Sequence, residues 1–173
     1  MARSSFSSRC CSGVRATAGS TKTAAEAIAA ATGGDLLELE PAEPYTSADL
    51  DYNNADSRVS REHDDETLRD VALKTTTADN WANYDTVYIG YPIWWGTMPR
   101  IINTFVEAHD LSGKVVLPFC TSGGSSISQS VSDLRQAAPK ADALTLGDAV
   151  IRGLKADAGK LAAKALETED ELS

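Results

Sequence analysis

The 173-residue sequence predicts an α/β fold, a doubly wound sheet of five parallel strands with helices on both faces. Short apolar or β-branched segments alternate with longer segments of helical periodicity, and mostly short polar loops connect them. A hydrophobic content of 42% is sufficient for one sizeable core, and no change in composition divides the chain. We therefore expect a single domain over residues 1–173.

Helix formers, glycines and prolines indicate the first elements in chain order. Residues 21–31 are alanine-rich and predict a helix that ends near Gly33, a residue suited to the left-handed C-cap. Leucines and acidic residues alternate over 35–40 and predict a short strand that stops before Pro41. A polar, acidic loop follows, and residues 61–73 predict a modest amphipathic helix.

The second half of the chain alternates strands and helices more regularly. Residues 84–93, YDTVYIGYPI, predict a strand that is buried on both faces. Residues 98–110 predict a helix, because Pro99 lies near its start and apolar residues recur at helical spacing. The remaining predicted elements are strands at 113–121 and 141–151 and helices at 127–139 and 156–173. Residues 168–173 are expected to be a frayed acidic tail.

Three loops follow predicted strands at their carboxyl ends, where open α/β sheets bind ligands. They comprise residues 17–21 (TAGST), 92–97 (PIWWGT) and 121–125 (TSGGS). Because the carboxyl ends of parallel strands share one edge, we expect the three loops to meet at one rim. The first offers hydroxyl and backbone N–H groups at a helix N-terminus, which suits a dianionic phosphate. An ordinary Ser/Thr N-cap is the alternative interpretation.

Two of the three tryptophans, Trp94 and Trp95, lie on the turn within GYPIWWGTMP. Tryptophan usually fills a core or an interface, because its ring removes a large apolar area from water. Because the two indole rings follow a strand end, they predict a surface on which a flat ligand stacks. The alternative interpretation is that the rings pack under their own loop or against a partner protein. Together, the three loops offer a phosphate site, an aromatic surface and a glycine-rich backbone edge. These are the features that flavin mononucleotide (FMN) requires.

Four segments of the chain resemble the flavodoxin-like proteins, specifically a branch whose flavin loop carries a YPIWWG motif. The segments are GGDLLELEPAEPY, YDTVYIGYPIWWGTMP, LSGKVVLPFCTSGGSSIS and AVIRG. The resemblance implies a flavodoxin-like doubly wound sheet, FMN as the cofactor and no catalytic side chain. It implies that Thr17, Gly19, Ser20 and Thr21 bind phosphate, that Pro92, Ile93, Trp94, Trp95, Gly96 and Thr97 flank or cover the flavin ring, and that Thr121, Ser122, Gly123, Gly124 and Ser125 border its pyrimidine edge.

The first strand departs from the family pattern. Residues 2–19, ARSSFSSRCCSGVRATAG, carry serines and arginines where a central strand is strongly hydrophobic, and burying such side chains is costly. Ala18 also replaces the hydroxyl residue expected before Gly19. We therefore treat residues 1–18 as an atypical first strand that leads into the phosphate loop. A reading-frame error is one explanation; a genuine polar strand would lower fold stability and FMN affinity.

The leading functional hypothesis is a low-potential electron carrier that binds FMN. Stacked indoles and surrounding negative charge disfavour the anionic reduced flavin, which lowers its potential. Two alternatives are an FMN-dependent NAD(P)H:quinone-type oxidoreductase and a flavodoxin-fold binding module that has lost the flavin. The formal charge of −9 argues against nucleic-acid binding and favours a redox partner that docks through a basic face.

The remaining features of the sequence predict a soluble cytoplasmic protein. No apolar run is long enough to span a bilayer, and the N-terminus lacks the apolar core of a signal peptide. The spacing of the three cysteines and two histidines predicts neither a disulfide framework nor a metal site.

Overall fold

The computed structural model describes residues 8–14, 19–139, 142–143, 150–151, 160 and 162–167. The strands are β1 (Ser8–Val14), β2 (Asp35–Leu39), β3 (Tyr84–Pro92), β4 (Val115–Thr121), β5 (Asp142–Ala143) and β6 (Val150–Ile151). The helices are α1 (Ser20–Thr32), α2 (Arg58–Asp64), α3 (Arg100–Ala108) and α4 (Ser128–Ala137). None of the helices within these ranges is both long enough and apolar enough to cross a membrane.

All strand pairs are parallel, and the sheet has the spatial order β2-β1-β3-β4-β5. The atypical first strand lies inside the sheet, between β2 and β3, since the backbone of Cys10 is in register with Asp35 of β2 and Val87 of β3. Both β5 and β6 pair with β4, one near each of its ends. The predicted doubly wound parallel sheet is confirmed.

Both faces of β3 and β4 are covered, and successive residues alternate between the two sides. On one side Tyr88 and Phe119 pack against Ile28 of α1. On the other side Ile89 belongs to a larger apolar cluster that includes residues of α3 and α4, among them Phe105. These side chains are all fully buried. β3 is buried continuously from Thr86 to Tyr91, which explains why its sequence from Val87 to Tyr91 does not alternate with charged residues.

The helix predicted over 61–73 has the wrong bounds. It begins earlier, because the Ser57 side chain accepts a hydrogen bond from the backbone N–H of Ser60 and caps α2. It ends at Asp64, because the Asp65 carboxylate accepts the backbone N–H of Thr67 at 2.8 Å and starts a short 3₁₀ turn. Local side-chain hydrogen bonds therefore end the helix despite its amphipathic pattern.

The last two predicted elements are described in part. Of the strand predicted over 141–151, β5 and β6 are described, and the residues between them lie outside the described part of the chain. Within the predicted last helix, residues 160 and 162–167 are helical. The predicted acidic tail, 168–173, also lies outside the described residues.

The close approach of β3 and β4 at Gly90 generates a stability prediction. Gly90 is in register with Phe119, and a Cβ added at Gly90 would overlap the Phe119 ring. We expect Gly90→Ala to lower the free energy of unfolding by about 1–3 kcal/mol, the usual cost of overpacking a core, as measured by urea denaturation. Gly123→Ala is the matched control, because a Cβ there meets no atom within 4 Å. Equal stability of the two variants would contradict the packing at Gly90.

Candidate functional site

The three predicted loops come together at Thr121, the last residue of β4. Its Oγ1 lies 2.7 Å from Oγ1 of Thr21, although the two residues are 100 positions apart. Its carbonyl oxygen accepts a hydrogen bond from the backbone N–H of Ile93 at 3.0 Å. The structure thus joins one residue of each loop at the carboxyl edge of the sheet. We call this junction of Thr21, Ile93 and Thr121 the rim.

The first turn of α1 supplies backbone donors beside the rim. Gly19 is the N-cap residue and makes no side-chain cap hydrogen bond, so the alternative of a Ser/Thr N-cap is wrong. The first N–H groups of a helix have no partner within it, and the first turn of α1 contains no acidic residue that would repel an anion. Ser20 is half-buried and Thr21 is buried. Thr17 lies outside the described residues.

The tryptophan turn is closed by two backbone hydrogen bonds between Trp94 and Thr97, of 2.9 and 3.0 Å. Its central residues, Trp95 and Gly96, have φ angles of 51° and 81°. Positive φ at both central positions is characteristic of a type I′ turn. A large side chain rarely adopts this conformation, and such strain clusters at functional sites. The turn holds the two indoles in different environments.

Trp94 is buried, with 7% of its surface exposed, and its ring lies edge-on to Tyr45 at a centroid distance of 5.0 Å. The Tyr45 hydroxyl donates to Glu62 Oε2 at 2.5 Å, and Arg58 Nε donates to Glu62 Oε1 at 2.7 Å. Burial and the hydrogen bond to Glu62 raise the pKa of Tyr45, so this phenol remains a donor at neutral pH. Tyr45, Arg58 and Glu62 form a support beneath Trp94.

Trp95 is 44% exposed and belongs to an aromatic cluster with His63 and Tyr52. Its ring stacks on His63 at 5.2 Å with an interplanar angle of 13°, and the Tyr52 ring is tilted against it at 5.9 Å. Trp95 is therefore the tryptophan that a ligand can reach. The residues that support the two indoles were not predicted from the sequence. The aromatic side chains of Tyr45 and Tyr52 in an otherwise polar loop were the one local signal that could have indicated them.

The third loop, 121–125, is shaped by one serine. Ser122 Oγ accepts the backbone N–H groups of Gly124 at 3.1 Å and Ser125 at 2.7 Å. A Cβ at Gly123 or Gly124 would meet no atom within 4 Å, so a planar group can approach the backbone there. Of the other predicted residues, Pro92 ends β3 opposite Thr121, and the Thr97 hydroxyl donates to Asp133 on α4.

Cys120, which precedes the rim residue Thr121, is fully buried in the core. Burial raises the pKa of its thiol to about 11. The side chain is therefore a neutral thiol at physiological pH, as expected of a structural core residue.

Comparisons with known proteins agree with this geometry. A family model described as Flavodoxin matches residues 12–158. A presumed flavoprotein from Bacteroides eggerthii is 45% identical, with a TM-score of 0.82 over 93% of this chain and 96% of that chain. A second, from Bacteroides uniformis, is 43% identical, with a TM-score of 0.75 over 80% and 86% of the two chains.

A flavoprotein from Lactobacillus acidophilus, solved in complex with FMN, is 23% identical. Its TM-score is 0.66, with 80% of this chain and 91% of that chain covered, which shows that the two share a fold. Comparison with curated proteins gives no significant match.

Proposed function

Because the chain belongs to the flavodoxin family, we propose that it binds FMN at the rim and acts as a low-potential electron carrier. The observation that carries the proposal is the junction at Thr121. It holds the helix N-terminus, the tryptophan turn and the glycine-rich loop within reach of one ligand. A phosphate site, an aromatic surface and a backbone edge are the three features that FMN requires.

The phosphate of FMN would bind at the first turn of α1. The first N–H groups of α1, whose N-cap residue Gly19 makes no side-chain hydrogen bond, and the hydroxyls of Ser20 and Thr21 are the donors that suit a dianion. The Thr21 hydroxyl is 2.7 Å from that of Thr121, which orients both. The donor set present in the chain therefore fits the group.

The isoalloxazine ring would lie against the tryptophan turn and the glycine-rich loop. We assign stacking to Trp95, because 44% of its surface is exposed whereas Trp94 is only 7% exposed. Trp94 would act indirectly, since it packs on Tyr45 and anchors the turn. The backbone at 121–125 would border the pyrimidine edge, because Gly123 and Gly124 leave space there.

The redox chemistry would come from the bound cofactor, since a flavin accepts and donates electrons one or two at a time. The residues of the chain bind and orient the ring and set its electrostatic surroundings. A formal charge of −9 disfavours the anionic reduced ring, which lowers the potential of the couple. A low potential suits a carrier that delivers electrons, and the same negative charge suits a partner protein that docks through a basic face.

Titration of the purified protein with FMN, followed by visible absorption and by NAD(P)H oxidation with a quinone, tests the proposal. We expect saturable FMN binding with a changed flavin spectrum, and almost no NAD(P)H oxidation unless a reductase is added. Rapid oxidation by the loaded protein would instead identify an NAD(P)H:quinone-type oxidoreductase. A protein that leaves the FMN spectrum unchanged would be a module that has lost the flavin.

Replacement of Trp95 by alanine should weaken FMN binding. The stacking of a base-like ring on an aromatic side chain contributes roughly 1–3 kcal/mol, so the dissociation constant should rise roughly 5- to 150-fold at 1.4 kcal/mol per decade. Fluorescence titration measures the change, because stacking quenches both tryptophan and flavin emission.

Trp94→Ala is the matched control for this variant. It should weaken FMN binding less than Trp95→Ala, because the Trp94 ring faces Tyr45 rather than solvent. If both variants bind FMN as tightly as the parent, and neither emission changes on mixing, the tryptophans serve packing or a protein partner instead.

Electron transfer to a basic acceptor should slow as salt is added. The charge of −9 attracts a cationic partner, and this attraction is screened as ionic strength rises from about 0.01 to 1 M. Stopped-flow oxidation of the reduced, FMN-loaded protein by basic cytochrome c measures the rate. Ferricyanide is the control, because an anionic acceptor should react faster with added salt. A cytochrome rate that is indifferent to salt would contradict acidic docking.

A further inference from the structure

One face of the Trp95 indole is covered by a side chain from α2. The His63 imidazole lies nearly parallel to the indole, at a centroid distance of 5.2 Å and an interplanar angle of 13°. The Tyr52 ring is tilted by 59° at 5.9 Å and therefore does not lie flat on either face. Because 44% of Trp95 is nevertheless exposed, the face opposite His63 is the one on which a flat ligand can stack.

The hydrogen bonds of the tryptophan turn fix its backbone rather than the Trp95 ring. They join the backbones of Trp94 and Thr97, and Trp95 lies between them with a φ of 51°. In the described part of the chain, the aromatic rings that contact Trp95 are those of His63 and Tyr52. Ring contacts of this kind favour one arrangement of the two side chains. The flat contact with His63 therefore selects the orientation of the indole.

Arg100 holds the end of α2 that carries His63. This helix ends at Asp64, and the carbonyl groups in the last turn of a helix lack partners within it. Arg100 Nε donates to the carbonyl oxygen of Glu62 at 2.8 Å, and Nη2 donates to that of His63 at 3.3 Å. The Arg100 side chain is only 18% exposed, and its Nη2 also pairs with Glu66 at 3.1 Å. The guanidinium thus fastens the end of α2 to the start of α3.

The same connection between β3 and α3 carries both the indole and the guanidinium. Arg100 is the first residue of α3, and the buried residues Met98 and Pro99 lie between it and the tryptophan turn. Movement of this connection relative to α2 would break the contacts of Arg100 and the stacking of His63 together. The position of the imidazole behind Trp95 is therefore fixed by the segment that presents Trp95.

We propose that His63 is a positioning residue for the flavin. Its ring backs the face of Trp95 opposite to the one assigned to FMN, and Arg100 holds it there. This inference rests on the FMN site proposed above. A binding surface that is already ordered loses less entropy when its ligand binds. Loss of the backing ring should therefore weaken FMN binding, although His63 acts through Trp95 and not on the flavin itself.

Replacement of the His63 ring, followed by fluorescence titration with FMN, tests the proposal. His63→Ala should raise the dissociation constant roughly 2- to 12-fold, which corresponds to the loss of an aromatic pair of about 0.5–1.5 kcal/mol. His63→Phe should restore the parental affinity, because a phenyl ring also stacks flat on an indole. His109→Ala is the matched control, because His109 follows α3 at its far end and packs on Trp81 and Phe105.

Acrylamide quenching of tryptophan fluorescence tests the same contact without FMN. The contribution of Trp95 is the difference between each protein and its Trp95→Phe counterpart. We expect His63→Ala to increase the quenching of Trp95, because the face that the imidazole covers becomes accessible. His63→Phe should be quenched like the parent. Unchanged quenching in His63→Ala would contradict the stacking of His63 on Trp95.

Arg100→Met tests how His63 is held, because it removes the donors to the end of α2 but keeps a long side chain. It should weaken FMN binding, and adding His63→Ala to it should lower the affinity little further, since both changes act through one ring. Fully additive losses would contradict this role of Arg100. The thermal midpoint of each variant reports whether it is folded. If Arg100→Met unfolds, the two His63 variants carry the test.

The outcomes separate this inference from the function on which it rests. A parent protein that binds no FMN would overturn both. FMN binding by the parent, with equal or tighter binding by folded His63→Ala, would overturn the role of His63 alone; tighter binding would show that the imidazole competes with the flavin for the indole. A loss that His63→Phe does not restore, or an equal loss in His109→Ala, would also overturn it.

Discussion

The hydrogen bond between the hydroxyls of Thr21 and Thr121 is the contact on which the candidate site depends. It joins the start of α1 to the end of β4, and the Thr121 carbonyl accepts the N–H of Ile93 from the tryptophan turn. These residues meet because the strands are parallel, so that their carboxyl ends share one edge. The register of β3 with β4 fixes the position of Thr121. Within this pair, Gly90 lies opposite Phe119 and leaves room for the Phe119 ring. The core thus positions the loops.

The long polar connection between β2 and β3 supports the tryptophan turn from outside the sheet. Tyr45 and Glu62 hold the buried Trp94, while His63 stacks on the exposed Trp95. Trp95 adopts a positive φ, a conformation that costs energy in a large residue and needs such surroundings. An anchored tryptophan beside an exposed one explains how a turn can present a rigid aromatic surface.

Much of the fold was predictable from the sequence, because the residue patterns that indicate strands, helices and caps are local in sequence. The β-branched and aromatic segment at 84–93 and the alanine-rich segment before Gly33 predicted β3 and α1 closely. The strand-end rule also predicted that the loops containing Thr21, Ile93 and Thr121 meet at one edge of the sheet. The bounds of α2 were not predictable from amphipathicity, because the side chains of Ser57 and Asp65 decide them.

Features that depend on distant contacts could not be predicted. The positive φ of Trp95 decides which indole is exposed, and nothing in the local sequence fixes it. The packing of Tyr45 on Trp94 joins residues that are distant in sequence, with α2 and β3 between them.

A double-mutant cycle on FMN affinity, with Thr21→Val and Thr121→Val, tests the central contact most directly. If the two hydroxyls act together at the FMN site, each single variant weakens FMN binding. The FMN affinity of the double variant is then only slightly lower than that of the single variant that binds FMN less tightly. The coupling energy should be about 0.5–1.5 kcal/mol, the usual contribution of one hydrogen bond. Additive losses, or FMN affinity unchanged in all three variants, would contradict the role assigned to this contact.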